Sequence, residues 1–129
     1  MSGKYLLDTN LVIALFQDDV AIKAAMNTAS ELFVSSTVVG ELFWGAQNSG
    51  RRQQNIQRVI QFMTAYPVLN CDSASAELYG RIKFELKQKG RPLPENDIWI
   101  AAVAEQYGLI IATRDKHFLE IDSVTTEIW

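Results

Sequence analysis

Short apolar runs alternate with longer segments of mixed polarity along this chain, and the alternation predicts its elements. Lys4 to Leu7 reads as a short strand, after which Thr9 or Asn10 caps a helix running to about Phe16. A second helix is predicted over Val20 to Ala29 and a strand over Leu32 to Ser35. Ser36 or Thr37 then caps a helix that passes through Glu41 to about Gln47 and is broken by Gly50. From Arg51 to Tyr66 the pattern is amphipathic, with Ile56, Val59, Ile60 and Met63 on one face. Pro67 ends that helix, Val68 to Asn70 forms a strand, and Asp72 or Ser73 starts a long helix to about Lys89. Gly90-Arg91-Pro92-Leu93-Pro94 is a loop. A helix from about Glu95 to Tyr107 stops at Gly108, a strand covers Leu109 to Thr113, and Val124 to Trp129 adds an edge strand.

Strand and helix in alternation imply an α/β sandwich with a mainly parallel sheet. No repeat, linker or low-complexity segment interrupts it, and 129 residues with 48% hydrophobic content supply one domain, residues 1–129, with a real core. A net charge of -3 argues against holding nucleic acid by bulk positive charge, though it leaves room for a local basic groove. The single cysteine, Cys71, excludes an intrachain disulfide framework and reads as a small buried hydrophobe in a reducing compartment. No segment approaches about 18 uninterrupted apolar residues, and Asp8 and Asn10 break the hydrophobic stretch near the N-terminus. A soluble, cytoplasmic protein without a membrane span or signal peptide is therefore expected.

Four acids stand against apolar runs. Asp8 follows Tyr5-Leu6-Leu7, Glu41 sits between Val38-Val39-Gly40 and Leu42-Phe43-Trp44, Asp97 opens Ile98-Trp99-Ile100, and Asp115 follows Ile110-Ile111-Ala112-Thr113-Arg114. None has a basic residue three or four positions away on its own helix, the spacing of an ordinary surface ion pair. The remaining acids fall in turns, at helix starts or on polar faces.

In an open α/β sheet the carboxyl ends of the strands and the following helix starts form the site, which gives the four acids one address. Two carboxylates about 4 Å apart repel by roughly 4 kcal/mol at an effective dielectric near 20, so convergence requires a cation. Carboxylate oxygens with retained waters suit Mg²⁺ or Mn²⁺, whereas His117 and Cys71, each alone of its kind, make zinc a poorer fit. Such an ion neutralises phosphate oxygens and activates water, which makes phosphodiester hydrolysis the leading reaction. Asp8 and Asp97 are the expected direct ligands. Glu41 and Asp115 are expected to bind a second metal, to orient the water or to act through bound waters, with Asn10 and Thr113 supporting the ligands from behind. A plain helix cap is the competing account of Asp97 and Asp115, but no cap explains Glu41.

These residues resemble the four motifs of PIN domains. The likeness is carried by Asp8-Thr9-Asn10 after a strand, Glu41-Leu42 with Gly45, Asp97 with Ile100-Ala101-Ala102, and Thr113-Arg114-Asp115-Lys116-His117-Phe118. Within that group the chain is similar to the VapC toxins of VapBC toxin-antitoxin pairs, over essentially its whole length. The resemblance implies a PIN-like three-layer α/β/α sandwich and an Mg²⁺-dependent endoribonuclease that cleaves transfer or ribosomal RNA. It further implies a homodimer, held inactive by a cognate VapB-type antitoxin whose basic residue reaches the acidic pocket.

RNA contact needs cations near that pocket. Arg114 and Lys116, flanking Asp115, are the expected phosphate contacts. The run Arg81, Lys83, Lys87, Lys89 and Arg91 reads as a solvated helix face, with Glu77 beside Arg81 and Glu85 beside Lys89. Trp44 and Trp99 are read as core or interface residues with base stacking as the alternative, and His117, beside Phe118, as structural. Leu11, Val12, Leu15, Phe16, Phe43 and Trp44 exceed what one small sheet needs, so part of this set is expected to meet a partner. A second class of function stays open: a catalytically silent PIN-like module that binds a partner protein or RNA. A receiver-type or haloacid-dehalogenase-like phosphotransfer fold fits less well, because Asp8 lacks a second aspartate two positions on.

Overall fold

A computed structural model describes residues 3–129. Its strands are β1 (Lys4–Leu7), β2 (Glu31–Ser35), β3 (Val68–Leu69), β4 (Ile110–Thr113) and β5 (Thr126–Ile128). They form one sheet in the order β3-β2-β1-β4-β5, and every pairing is parallel rather than merely most of them. The helices are α1 (Thr9–Phe16), α2 (Val20–Thr28), α3 (Ser36–Gln47), α4 (Arg52–Ala65), α5 (Ser73–Lys89) and α6 (Glu95–Tyr107). A parallel sheet needs crossover helices on its faces, and these six supply the outer layers of the expected α/β/α sandwich.

The chain runs outward from β1 through β2 to β3, then returns to the other side of β1 to build β4 and β5. That reversal places a crevice at the carboxyl ends of β1 and β4. Leu7 pairs with Ala112, and the Asp8 amide donates to the Ala112 carbonyl at 3.0 Å, so the residues just after the two strands meet.

Burial follows the sequence pattern closely in the middle of the molecule. Leu6, Leu7, Leu11, Val12, Val34, Val38 and Ile111 are closed off from solvent. On α6 the run Ile100 to Ala104 is buried on every side, as expected of a helix apolar all round. Its small alanines let it lie close to the sheet and to α5, which packs along it. Gly108 and Gly90 end α6 and α5 at positive φ, 66° and 67°, where a side chain would be strained.

Several local readings need correction. α1 is capped by Asp8, not by Thr9 or Asn10, and α3 by Ser35, whose hydroxyl accepts from the Val38 amide, not by Ser36 or Thr37. In both cases the last strand residue or its neighbour already has extended backbone and a short polar side chain, which is what a cap requires. Asp72 caps α5 with a full capping box, as expected. On α4 the buried residues are Val59 and Phe62, while Ile60 and Met63 face solvent, so the inward stripe is rotated from the expected one. Phe62 meets Phe16 edge-on and Tyr66 at a tilt, and this aromatic cluster sets the helix's rotation. A short 3₁₀ turn over Lys116–Glu120 follows β4, and the final strand is confined to Thr126–Ile128 within the expected Val124 to Trp129.

Candidate functional site

Asp8 leaves β1 with extended backbone, and its two carboxylate oxygens are held separately. One accepts from the Thr9 amide at 2.8 Å and the other from the Thr113 hydroxyl at 2.7 Å. Thr113, the last residue of β4, is buried, and its hydroxyl also accepts from the Asp115 amide at 2.9 Å. One threonine thus ties Asp8 to the turn that carries Asp115. Thr9 does the same on the other side, since its hydroxyl donates to Glu41 at 3.0 Å. Asp97 sits in the first turn of α6, where the free amides of the helix start favour a negative charge. Asp115 caps the 3₁₀ turn by accepting from the His117 amide at 2.9 Å.

The fold brings the four acids together: Thr113 links Asp8 to the turn of Asp115, Thr9 links Asp8 to Glu41, and Asp97 shares an ion-sized space with Asp115. Burial is the first cause raising the carboxyls of Asp8, Glu41 and Asp97. Asp115 adds to the rise at Asp8, and Asp8 adds to that at Glu41. Asp97 is pushed up to about 6, by burial first, then by Asp8 and Asp115, with Glu41 contributing and His117 opposing. Three raised carboxyls around one space mark missing positive charge.

Two of the residues holding this arrangement differ from expectation. Asn10 is exposed and has no side-chain hydrogen bond among the described residues; its neighbour Thr9 supports the acids instead. The Asp-Thr-Asn tripeptide contained that signal, but choosing between its second and third residues requires the helix to start at Asp8. His117, read as structural, has its Nδ1 at 3.1 Å from Asp115 and 3.7 Å from Asp97. An oxygen from each of Asp97 and Asp115 and a ring nitrogen of His117 lie within 4.8 Å of one another. The 3₁₀ turn swings the imidazole back toward the acids, and nothing in the local sequence announces that turn.

Donor chemistry fits a divalent cation at this point. Carboxylates that are short of positive charge suit a hard divalent cation, and an imidazole stands within reach as a further ligand. Arg114 is turned to Asp19, its Nη2 donating at 2.9 Å, whereas Lys116 is exposed without an acidic partner among the described residues. The α5 cations do not form the expected Glu77–Arg81 and Glu85–Lys89 pairs: Arg81 binds Glu85, four residues on, and Glu105, Lys83 binds Glu95, and Lys89 binds Asp122. These three are solvated and neutralised, while Lys87 is exposed without an acidic partner among the described residues. Cys71 is only half-buried, its thiol 3.2 Å from the Thr37 hydroxyl.

Beside the acids lies an apolar groove of about 310 Å³ between α1, α3 and α4, lined by Ile13, Phe16, Leu42 and Val59 and reaching Glu41. Of the apolar set singled out in the sequence, Leu11 and Val12 are buried, Leu15, Phe16 and Phe43 are partly buried and Trp44 is 68% exposed; Ile13, beside them in the groove, is 45% exposed. No helix among the described residues is long and apolar enough to cross a membrane.

Comparison with known proteins identifies the family and the fold. The family model described as PIN domain matches residues 5–124. Ribonuclease VapC2 of Haemophilus influenzae is 36% identical over 129 residues, covering 98% of both chains. The tRNA(fMet)-specific endonuclease VapC of Shigella flexneri is 33% identical over 129 residues, again covering 98% of both. Among solved structures, a chain of DNA-bound VapBC from Salmonella typhimurium superposes with a TM-score of 0.90 at 31% identity, covering 98% of each chain.

Proposed function

This chain belongs to the PIN domain family and, within it, to the VapC ribonucleases, and from that premise we propose that it is a toxin that hydrolyses cellular RNA with Asp8, Glu41, Asp97 and Asp115 as its catalytic acids. The observation that carries this reading is the meeting of Asp8, Glu41, Asp97 and Asp115 at one place, tied through Thr9 and Thr113, with burial and mutual repulsion raising the carboxyls of Asp8, Glu41 and Asp97. Such a cluster is costly for folding and useful only where a cation and a phosphate arrive.

Asp8, Asp97 and Asp115 hold the metal in this reading, and His117 stands close enough to join them. A bound Mg²⁺ or Mn²⁺ supplies charge neutralisation for the phosphate and a lowered pKa for water. Thr113 and Thr9 fix the orientation of the acids before substrate arrives, so that no reorganisation is needed during the reaction. Glu41 has one oxygen occupied by Thr9, while its second has no partner among the described residues and is available to accept a proton from an attacking water. Lys116, and the donors of Arg114 not engaged by Asp19, border the site as phosphate contacts.

The solved VapBC structures make a VapB-type antitoxin the expected partner. The apolar groove ending at Glu41 suits an amphipathic segment whose cation reaches the acids and takes the place of the metal. A homodimer, a cytoplasmic location and a transfer or ribosomal RNA target complete the reading. The relative from Shigella flexneri, whose name gives tRNA(fMet) as its substrate, makes a transfer RNA the first to test.

Purified chain incubated with transfer RNA and Mg²⁺ or Mn²⁺ is expected to give discrete fragments, and Asp8→Asn or Asp97→Asn to lower the rate by at least about a hundredfold with the fold retained by circular dichroism. Cleavage by the Asn variants at the parent rate would mean a contaminating nuclease and would leave the silent binding module as the better account.

A further inference from the structure

RNA must be gripped by a chain whose net charge is -3 and whose α5 cations are largely neutralised by acids of their own. Phosphate attraction alone is therefore a weak source of affinity, and stacking is the other source open to a single strand. A second opening, of about 320 Å³, lies between the start of α3 and the start of α6 and is lined by Ser36, Thr37, Cys71, Asn96 and Trp99. Both its walls are shared with the acids. Thr37 precedes Glu41 by four residues and so lies on the same face of α3, and Asn96 immediately precedes Asp97.

Trp99 is prepared for stacking. Its indole lies nearly flat on the Tyr79 ring, centroids 4.0 Å apart and planes 12° from parallel, and the Lys83 ammonium stands 5.6 Å from the Tyr79 centroid. The pair is thereby held rigid, and the half-exposed indole still borders the opening. Around it are polar groups with capacity to spare. The Asn96 amide is exposed and has no hydrogen bond among the described residues, and the Ser36 hydroxyl accepts from the Cys71 amide at 3.2 Å, which leaves its own proton to donate. An aromatic wall with amide and hydroxyl groups at its edge matches an unpaired base, which offers one π face and one hydrogen-bonding edge.

We propose that the opening between α3 and α6 is a subsite for one unpaired nucleobase next to the scissile phosphate, with Trp99 as the stacking surface and Asn96 as the residue that reads the base edge. The proposal rests on the ribonuclease reading for the identity of its ligand. It makes the substrate an unpaired loop or end, because a base within a duplex has no free face to offer.

The test uses the full chain with Asp8→Asn, so that RNA is bound and not consumed, titrated with octaribonucleotides of adenosine, uridine or cytidine while tryptophan fluorescence is followed. Saturable quenching is expected. Trp99→Leu should abolish that quenching and weaken binding of the fluorescein-labelled oligonucleotides about tenfold by anisotropy, and Trp99→Phe should restore most of the affinity. Asn96→Ala, at an exposed position that leaves the fold alone, should change the order of preference among the three bases. Quenching that persists in Trp99→Leu, an affinity unchanged in Trp99→Leu, or a base ranking unchanged in Asn96→Ala overturns the subsite. Cleavage is measured in parallel with Asp8 restored. A parent chain that binds with quenching and does not cut removes the ribonuclease reading and leaves the subsite standing. A parent that cuts, with Trp99→Leu and Asn96→Ala cutting every RNA equally well, removes the subsite alone.

Discussion

Asp97 has a carboxyl held at about 6 in the folded chain, against 3.8 for the ordinary side chain. The folded state therefore binds this proton more tightly than the unfolded state does. Stability from this residue is fully present below about pH 3.8 and is lost as pH rises through about 6. Without metal, Asp97→Asn is expected to exceed the parent in stability at pH 7.5 by on the order of 2–3 kcal/mol and to match it near pH 4. Urea denaturation at the two pH values checks this, and equal midpoints at pH 7.5 would remove the electrostatic argument for the site. Mg²⁺ or Mn²⁺ at about a hundredfold over its dissociation constant should stabilise the parent at pH 7.5 by about 2.7 kcal/mol, and Asp97→Asn by much less. Residue identity alone marked the four acids, because carboxylates among apolar runs are costly wherever they fall. It did not mark His117 or choose Thr9 over Asn10, since both depend on where a helix or 3₁₀ turn begins, and the starts of such elements are uncertain by a residue or two.

Element by element, the strands and helices were legible where the apolar pattern is continuous and least so where it is mixed. α6 is the clearest case: Ile98 to Ala104 has no polar interruption, and all of it but Trp99 is buried. On α4, Ile56, Val59, Ile60, Phe62 and Met63 offer two overlapping stripes, and periodicity has no means of choosing between them. Contact with Phe16 and Tyr66 chooses the one containing Phe62. Phe62→Ala should accordingly cost about 3–5 kcal/mol, while Ile60→Gln changes stability by no more than about 0.5 kcal/mol. Thermal or urea melts of the two variants separate the stripes, and a larger loss at Ile60 would restore the stripe expected from the sequence. The 3₁₀ turn at Lys116–Glu120 escaped notice because five residues are too few to show a period.

The whole molecule joins two surfaces at Glu41, the acidic cluster proposed to cut RNA and the apolar groove proposed to receive a partner. Ile13 is exposed in the apolar groove and is not among the residues that hold the acids, so Ile13→Glu should leave RNA cleavage intact while weakening antitoxin binding at least about tenfold, measured by titration calorimetry or by loss of inhibition. Full inhibition of Ile13→Glu at parent antitoxin concentrations would place the partner elsewhere. By itself the sequence determined the α/β class, the approximate span of each element, the four acids and their likeness to a family, because hydrophobic period and residue chemistry are local properties. Tertiary structure alone decided which acid shares which threonine, that His117 turns toward Asp97, that Arg114 is engaged by Asp19, and that Trp99 rests on Tyr79 beside an opening. Each of these joins residues from different elements, and the distance between them is set by sheet register and helix rotation, which only the packed core selects.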